Sequence, residues 1–216
     1  TCFKIQVDNL NLCVTIYSDL AKAENNLLRY VTMAQTEKKK TNSKVTDIVY
    51  IGLSAAIIAV CSWISIPLTV PITLQTMGVV LISGLFGAKR GTLSTLLYIL
   101  IGAIGVPVFS GFKSGFGVLL GSTGGYIIGF VFTALIVGIV SDKTNKLWAL
   151  ILSMVVGILV CYAFGTAWFA VVYAKTNEPA SLATILGWCV IPFLIPDAVK
   201  IALAAVLTNR LKKFVK

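Results

Sequence analysis

Residues 147–174 read LWALILSMVVGILVCYAFGTAWFAVVYA, a run without one charged side chain. A helix needs about 20 mostly apolar residues to cross the hydrocarbon core of a bilayer, so this run spans with turns to spare. It lacks the strict alternation over about ten residues that marks a membrane β-strand, which makes it a helix. Working outward, the same reading recurs at 48–66, 72–88, 91–106, 119–140 and 183–209, the third of the six spans being short. Short connections join them. The predicted fold is an all-α integral membrane bundle of about six transmembrane helices, a single domain over residues 45–216.

Composition agrees. Of 216 residues 57% are hydrophobic and only 12% charged, with a mean hydropathy of +0.93. That leaves too little polar surface to cover a water-soluble globule. The formal charge of +10 would suit a nucleic-acid partner, but the basic residues sit in short loops and at the ends of the membrane domain. Counted by alternating sides, Lys38, Lys39, Lys40, Lys44, Lys89, Arg90, Lys143, Lys146, Arg210, Lys212, Lys213 and Lys216 fall on one face, against Lys113 and Lys175 on the other. Positive charge stays in the cytoplasm, so both termini are expected there, with the loops at 67–71, 107–118 and 175–182 outside. Residues 1–44 form a polar N-terminal segment. Within it, residues 1–32 hold neither a span nor a signal-peptide core, and Met33 opens a lysine-rich stretch like the start of a small membrane protein. Residues 1–32 are therefore expected to be an upstream extension, the alternative being an ordinary surface helix.

Several chemistries drop out. The chain has no histidine, which removes His-dependent triads, imidazole metal sites and the commonest general base. Cys2, Cys13, Cys61, Cys161 and Cys189 are odd in number and lack metal-ligand spacing; the last three lie in apolar segments and read as free, buried thiols. No metal or other cofactor is expected. The second external loop is rich in turn formers, with Gly105, Pro107, Gly111, Gly115 and Gly117, and the first holds Pro67 and Pro71. No Gly-Lys-Ser/Thr triplet occurs, and the dinucleotide fingerprint fails at Leu120, so nucleotide binding by this chain is rejected.

The run Ile191-Pro192-Phe193-Leu194-Ile195-Pro196-Asp197-Ala198-Val199-Lys200 holds the only ionisable pair well inside an apolar segment. A charge at membrane depth costs at least about 2.5–3.5 kcal/mol, so such residues face a cavity or a partner. Three positions apart, Asp197 and Lys200 share one helical face. Pro196, just before them, is expected to kink or break the helix and open a polar niche. Two readings compete. The pair either locks the bundle as a self-neutralising bridge, or it addresses a ligand with one strong acceptor and one strong donor; the second is preferred. Gly121, Gly125 and Gly129 recur every fourth residue, as close helix packing requires, and Tyr126 among them is a candidate ligand contact. A second small-residue stripe, Ala55 and Ala59 with Gly52 and Ala56 beside it, faces inward or presents a smooth face to another protein.

Val70-Pro71-Ile72-Thr73-Leu74-Gln75-Thr76-Met77-Gly78 resembles the VPxTLQxxG segment of the biotin-specific membrane components of energy-coupling-factor (ECF) transporters, the BioY family. Gly102-Ala103-Ile104-Gly105-Val106-Pro107-Val108-Phe109, then Leu120-Gly121-Ser122-Thr123-Gly124-Gly125-Tyr126, then the Ile-Pro-Asp-Ala-Val-Lys run resemble that family in the expected order. The similarity covers roughly residues 45–216. It implies a six-helix, non-enzymatic subunit that captures biotin for uptake across the cell membrane. It also implies a membrane scaffold partner and two cytosolic ATPases. Ala55 and Ala59 would match the motif that docks on the scaffold. Asp197 and Lys200 complement the ureido group of biotin, Gln75 joins the binding residues through the first motif, and Trp168 and Trp63 are candidates to enclose the bicycle. Trp63 reads equally well as an interfacial anchor. One departure stands out: where the family has a Gly-Gly pair followed by a small polar residue, this chain reads Gly111-Phe112-Lys113-Ser114-Gly115. Lys113 either meets a carboxylate or is simply solvated. The rival functions are capture of another small vitamin, an intramembrane enzyme using Asp197 and Lys200 as acid and base, and a structural subunit.

Overall fold

A computed structural model describes residues 44–66, 70–144, 146–176 and 181–215. The expectations for residues 1–32, Lys38 to Lys40, Cys2, Cys13 and Lys216 lie outside the described residues. Residue contacts group the chain into units 1–48 and 49–216; the second holds the helical bundle, whose first helix starts a few residues ahead of that unit. In chain order it comprises α1 (Lys44–Trp63), β1 (Ser65–Ile66), β2 (Ile72–Thr73), α2 (Gln75–Ala103), a 3₁₀ turn (Ser110–Phe112), α3 (Phe116–Leu120), α4 (Gly124–Lys143), α5 (Leu147–Thr176), α6 (Leu182–Cys189) and α7 (Ile191–Val215). The strands form a two-residue antiparallel ribbon pairing Ser65 with Thr73 and Ile66 with Ile72.

Helix α2 is continuous in its residue range but folded in space. At Gly87 the backbone turns to φ 79°, ψ −174°. Gln75 Nε2 donates to the Tyr98 hydroxyl at 3.0 Å, whereas a straight helix would hold those residues about 35 Å apart. Gly91 lies so near Ser83 that a Cβ on it would come within 2.7 Å of the Ser83 Cα. Two antiparallel arms, residues 75–86 and 88–103, thus fold at one glycine and account for the spans expected at 72–88 and 91–106. The turn demands glycine twice over, through its positive φ and because a Cβ would sit 2.0 Å from Asp142 Oδ1. Asp142 Oδ2 in turn accepts the Ala88 N–H at 2.9 Å, partnering a donor left open at the start of the second arm.

Among the described residues, four helices are long and apolar enough to cross a membrane: Lys44–Trp63, Gly124–Lys143, Leu147–Lys175 and Ala183–Lys213. With the two shorter arms of α2 they give the expected bundle. Helix α2 packs on α4 and α7, and α4 on α5. Gly125 meets the Cβ of Trp168 and Gly129 meets Cys161, so backbones approach closely, as small residues allow between helices in lipid. The glycine stripe is shorter than expected. Gly121 is extended (φ −77°, ψ −175°) in the turn between α3 and α4, so the fourth span begins at Gly124 rather than 119.

One further expectation is corrected. The last span breaks at Val190 (φ −126°, ψ −51°) and not at Pro196. Pro192 explains the position: proline belongs in the first turn of a helix, and the chain just ahead of it resists helical backbone. Helix α7 continues through Pro196, forgoing one internal hydrogen bond. On α1, the stripe of Ala55 and Ala59 takes the first of the two facings left open for it: the two are 3% and 7% exposed and belong to the core, with Ile58 between them. Gly52 and Ala56 are the small residues that face outward. Cys61, Cys161 and Cys189 are free thiols, as expected, the first of them only partly buried.

Candidate functional site

Because α7 starts at Ile191, Asp197 and Lys200 fall in its second and third turns and point to the same side. Lys200 Nζ lies 2.7 Å from Asp197 Oδ1, and the two residues are 5% and 2% exposed. The ion pair expected from their spacing is present. Other helices complete it: the Tyr162 hydroxyl of α5 donates to Asp197 Oδ2. Thr76 Oγ1, at the start of α2, donates to Asp197 Oδ1 at 3.4 Å and accepts from Lys200 Nζ at 3.4 Å. A carboxylate offers about four lone-pair positions and an ammonium three N–H donors. Among the described residues three of the first and two of the second are engaged, which leaves one acceptor and one donor.

They face a cavity of about 450 Å³, within the range of small-molecule sites. Its wall brings together five of the six expected binding residues: Asp197, Lys200, Gln75, Tyr126 and Lys113. Phe109, Phe130 and Phe193 supply flat apolar surface. Gln75 is buried, held by Tyr98, whose hydroxyl donates onward to the Val108 carbonyl at 3.1 Å. Tyr126 stands over Gly165, where any Cβ would strike its ring, and donates to the Cys189 carbonyl at 3.3 Å. Lys113 is exposed, at the rim.

Neither tryptophan lines the cavity among the described residues. Trp168 lies behind the wall, where its Nε1 donates at 2.9 Å to the carbonyl of Gly121, a lining residue. Trp63 donates to the Pro107 carbonyl at 3.0 Å and stacks on Phe112 with ring centroids 5.2 Å apart. Its N–H and one ring face are thus committed to the loop. Tyr162 and Thr76, which sequence reasoning passed over, touch the ion pair directly. The one available signal was a phenol inside the charge-free run 147–174, since a buried tyrosine hydroxyl needs a partner.

No group of three or more metal-ligating side chains occurs among the described residues. The site combines one free acceptor, one free donor and aromatic walls. That combination suits the edge of a compact cyclic amide or ureide.

Comparison with known proteins points the same way. The model of the BioY family matches residues 34–216. The biotin transporter BioY of Thermotoga maritima is 38% identical over 163 residues, covering 75% of this chain and 93% of that protein. The probable biotin transporter BioY of Pyrococcus horikoshii is 39% identical over 170 residues, covering 78% of this chain and 98% of its own. Among solved structures, the S-component for biotin from an ECF-type ABC transporter matches with a TM-score of 0.71 at 27% identity, over 80% of this chain and 93% of that one.

Proposed function

The chain belongs to the BioY family, and from that premise we propose that it is the substrate-specific subunit of an ECF-type transporter, binding biotin and serving its uptake across the cell membrane. It is a multi-pass membrane protein and a binding subunit, not an enzyme. The observation that carries the reading is the buried Asp197–Lys200 pair on the wall of the 450 Å³ cavity.

Biotin presents a ureido group with two N–H donors and one carbonyl. The remaining Asp197 lone pair accepts one N–H while the remaining Lys200 donor meets the carbonyl, two charge-assisted hydrogen bonds along one edge. Tyr162 and Thr76 hold the pair so that its open positions face the ligand. Phe109, Phe130 and Phe193 enclose the bicycle, with Gln75 and Tyr126 on the polar side of the wall. Trp168 acts through Gly121. A buried ion pair is weak evidence for stability, because desolvation offsets its attraction, so recognition explains this one better than helix locking does.

The chain carries no nucleotide-binding signature, so the energy comes from partners: a membrane scaffold subunit and two cytosolic ATPases. Helix α1 offers the scaffold a smooth face at Gly52 and Ala56, one turn apart, with nothing within 4 Å of a Cβ placed on Gly52. Ala55 and Ala59, proposed from sequence as the docking residues, pack behind that face. Both termini are placed in the cytoplasm, a reading supported by twelve basic residues against two. The binding domain is taken as residues 45–216, in keeping with the family match at 34–216.

Equilibrium binding of labelled biotin to the purified chain, with other vitamins as competitors, tests the function. Saturable binding displaced by biotin but not by thiamine or riboflavin is expected. Absence of saturable binding, or tighter competition by another vitamin, would overturn it.

A further inference from the structure

We propose that Lys113 is the anion-recognising end of the cavity and makes this subunit selective for biotin with a free carboxylate over biotin whose carboxyl is masked. The inference rests on the biotin reading above. Among the residues lining the cavity the charged ones are Asp197, Lys200 and Lys113. Asp197 and Lys200 neutralise each other at 2.7 Å, so among the described residues Lys113 leaves the cavity with one uncompensated positive charge. Among the described residues no carboxylate pairs with it. The burial gradient orients the site. The ion pair is buried while Lys113 is exposed, so a ligand whose head meets the pair carries its tail toward the open side of the cavity, whose lining includes Lys113. The tail of biotin ends in a carboxylate, ionised at neutral pH.

The backbone that carries Lys113 is held in place. Its carbonyl accepts the N–H of Phe109 at 3.1 Å, and Phe109 is 2% exposed, its ring lying where a Cβ on Gly102 would fall 2.2 Å from Cζ. One residue earlier, the Val108 carbonyl accepts from both Tyr98 and Ser62. Beyond Lys113, the Gly115 N–H donates to the Gly102 carbonyl at 2.8 Å. The chain on either side of Lys113 is therefore tied to α1 and to the second arm of α2. Only the side chain remains to be ordered when a carboxylate arrives, which lowers the entropy that binding must overcome.

The test measures binding of biotin and of biotinamide, its primary amide, to the parent, Lys113→Met and Lys113→Arg. The parent is expected to prefer biotin by roughly two- to fivefold, as suits a partly solvated ion pair, and less so at high salt. Lys113→Met should bring that ratio to about one by weakening biotin alone, and Lys113→Arg should keep it. Unchanged biotinamide affinity in Lys113→Met shows that the site is still folded. A parent that does not discriminate, a Met variant that still does, or equal loss of both ligands overturns the assignment; the last would make Lys113 a support of the loop. Failure of the parent to bind either ligand would instead overturn the biotin reading itself.

Discussion

Removing one member of a buried ion pair leaves the other unpaired at about 3–5 kcal/mol, so single substitutions at Asp197 or Lys200 report on folding before they report on binding. The informative variant is Asp197→Asn with Lys200→Met, which restores neutrality. It is expected to fold, with a melting temperature near the parent's, and to lose biotin affinity about a hundredfold or more, because each hydrogen bond to a charged group contributes about 1.5–3 kcal/mol. A folded double variant that binds as well as the parent would leave the pair as a helix lock. Tyr162→Phe removes the donor on Asp197 Oδ2 and frees the carboxylate to turn; titration should show a five- to tenfold loss of affinity, about 1–1.4 kcal/mol. Asp197 and Lys200 were legible in the sequence because a charge in an apolar span cannot be explained by lipid. Gln75, Tyr126 and Lys113, expected through motif or loop position, line the cavity. Trp63 and Trp168, expected near the ligand, stand off the cavity wall because an indole N–H is satisfied by any carbonyl that the fold brings near, here those of Pro107 and Gly121. Thr76 and Tyr162 escaped notice for the same reason, since their partners lie on other helices.

Helix α1 shows why facing is the hardest property to read in a membrane helix. Ala55 and Ala59 repeat every fourth residue, and so do Gly52 and Ala56, on an adjacent strip of the same surface. In a soluble helix hydrophobicity would separate the strips, but lipid and protein interior are equally apolar and give no such contrast. The structure turns the first strip inward. Substitution therefore separates the two roles. Ala56→Trp should reduce cellular biotin uptake and leave binding to the purified chain intact. Ala55→Trp overpacks the core, with an expected loss of about 1–3 kcal/mol in stability and parallel loss of binding and uptake. Uptake undisturbed by Ala56→Trp would take α1 out of the docking surface. The break in the last span carries a similar lesson: two prolines stand four residues apart, and the one that coincides with a helix start sets the boundary.

At the scale of the molecule, the number of spans was legible because bilayer thickness fixes how long an apolar run must be, and because basic residues punctuate the runs. Reporter tags at the two ends should both resist protease applied outside intact cells; cleavage of either would overturn the orientation. What length alone did not disclose is that the second and third crossings share one glycine as their turn. Their arms, roughly 12 and 16 residues, rise about 18 and 24 Å, each below the 17–25 residues or so that a lone helix needs. Each arm alone is short for a crossing. With Lys89 and Arg90 just past the turn, the two arms are expected to enter the bilayer together as one hairpin, and a chain cut after the first arm should then fail to hold that arm in the membrane.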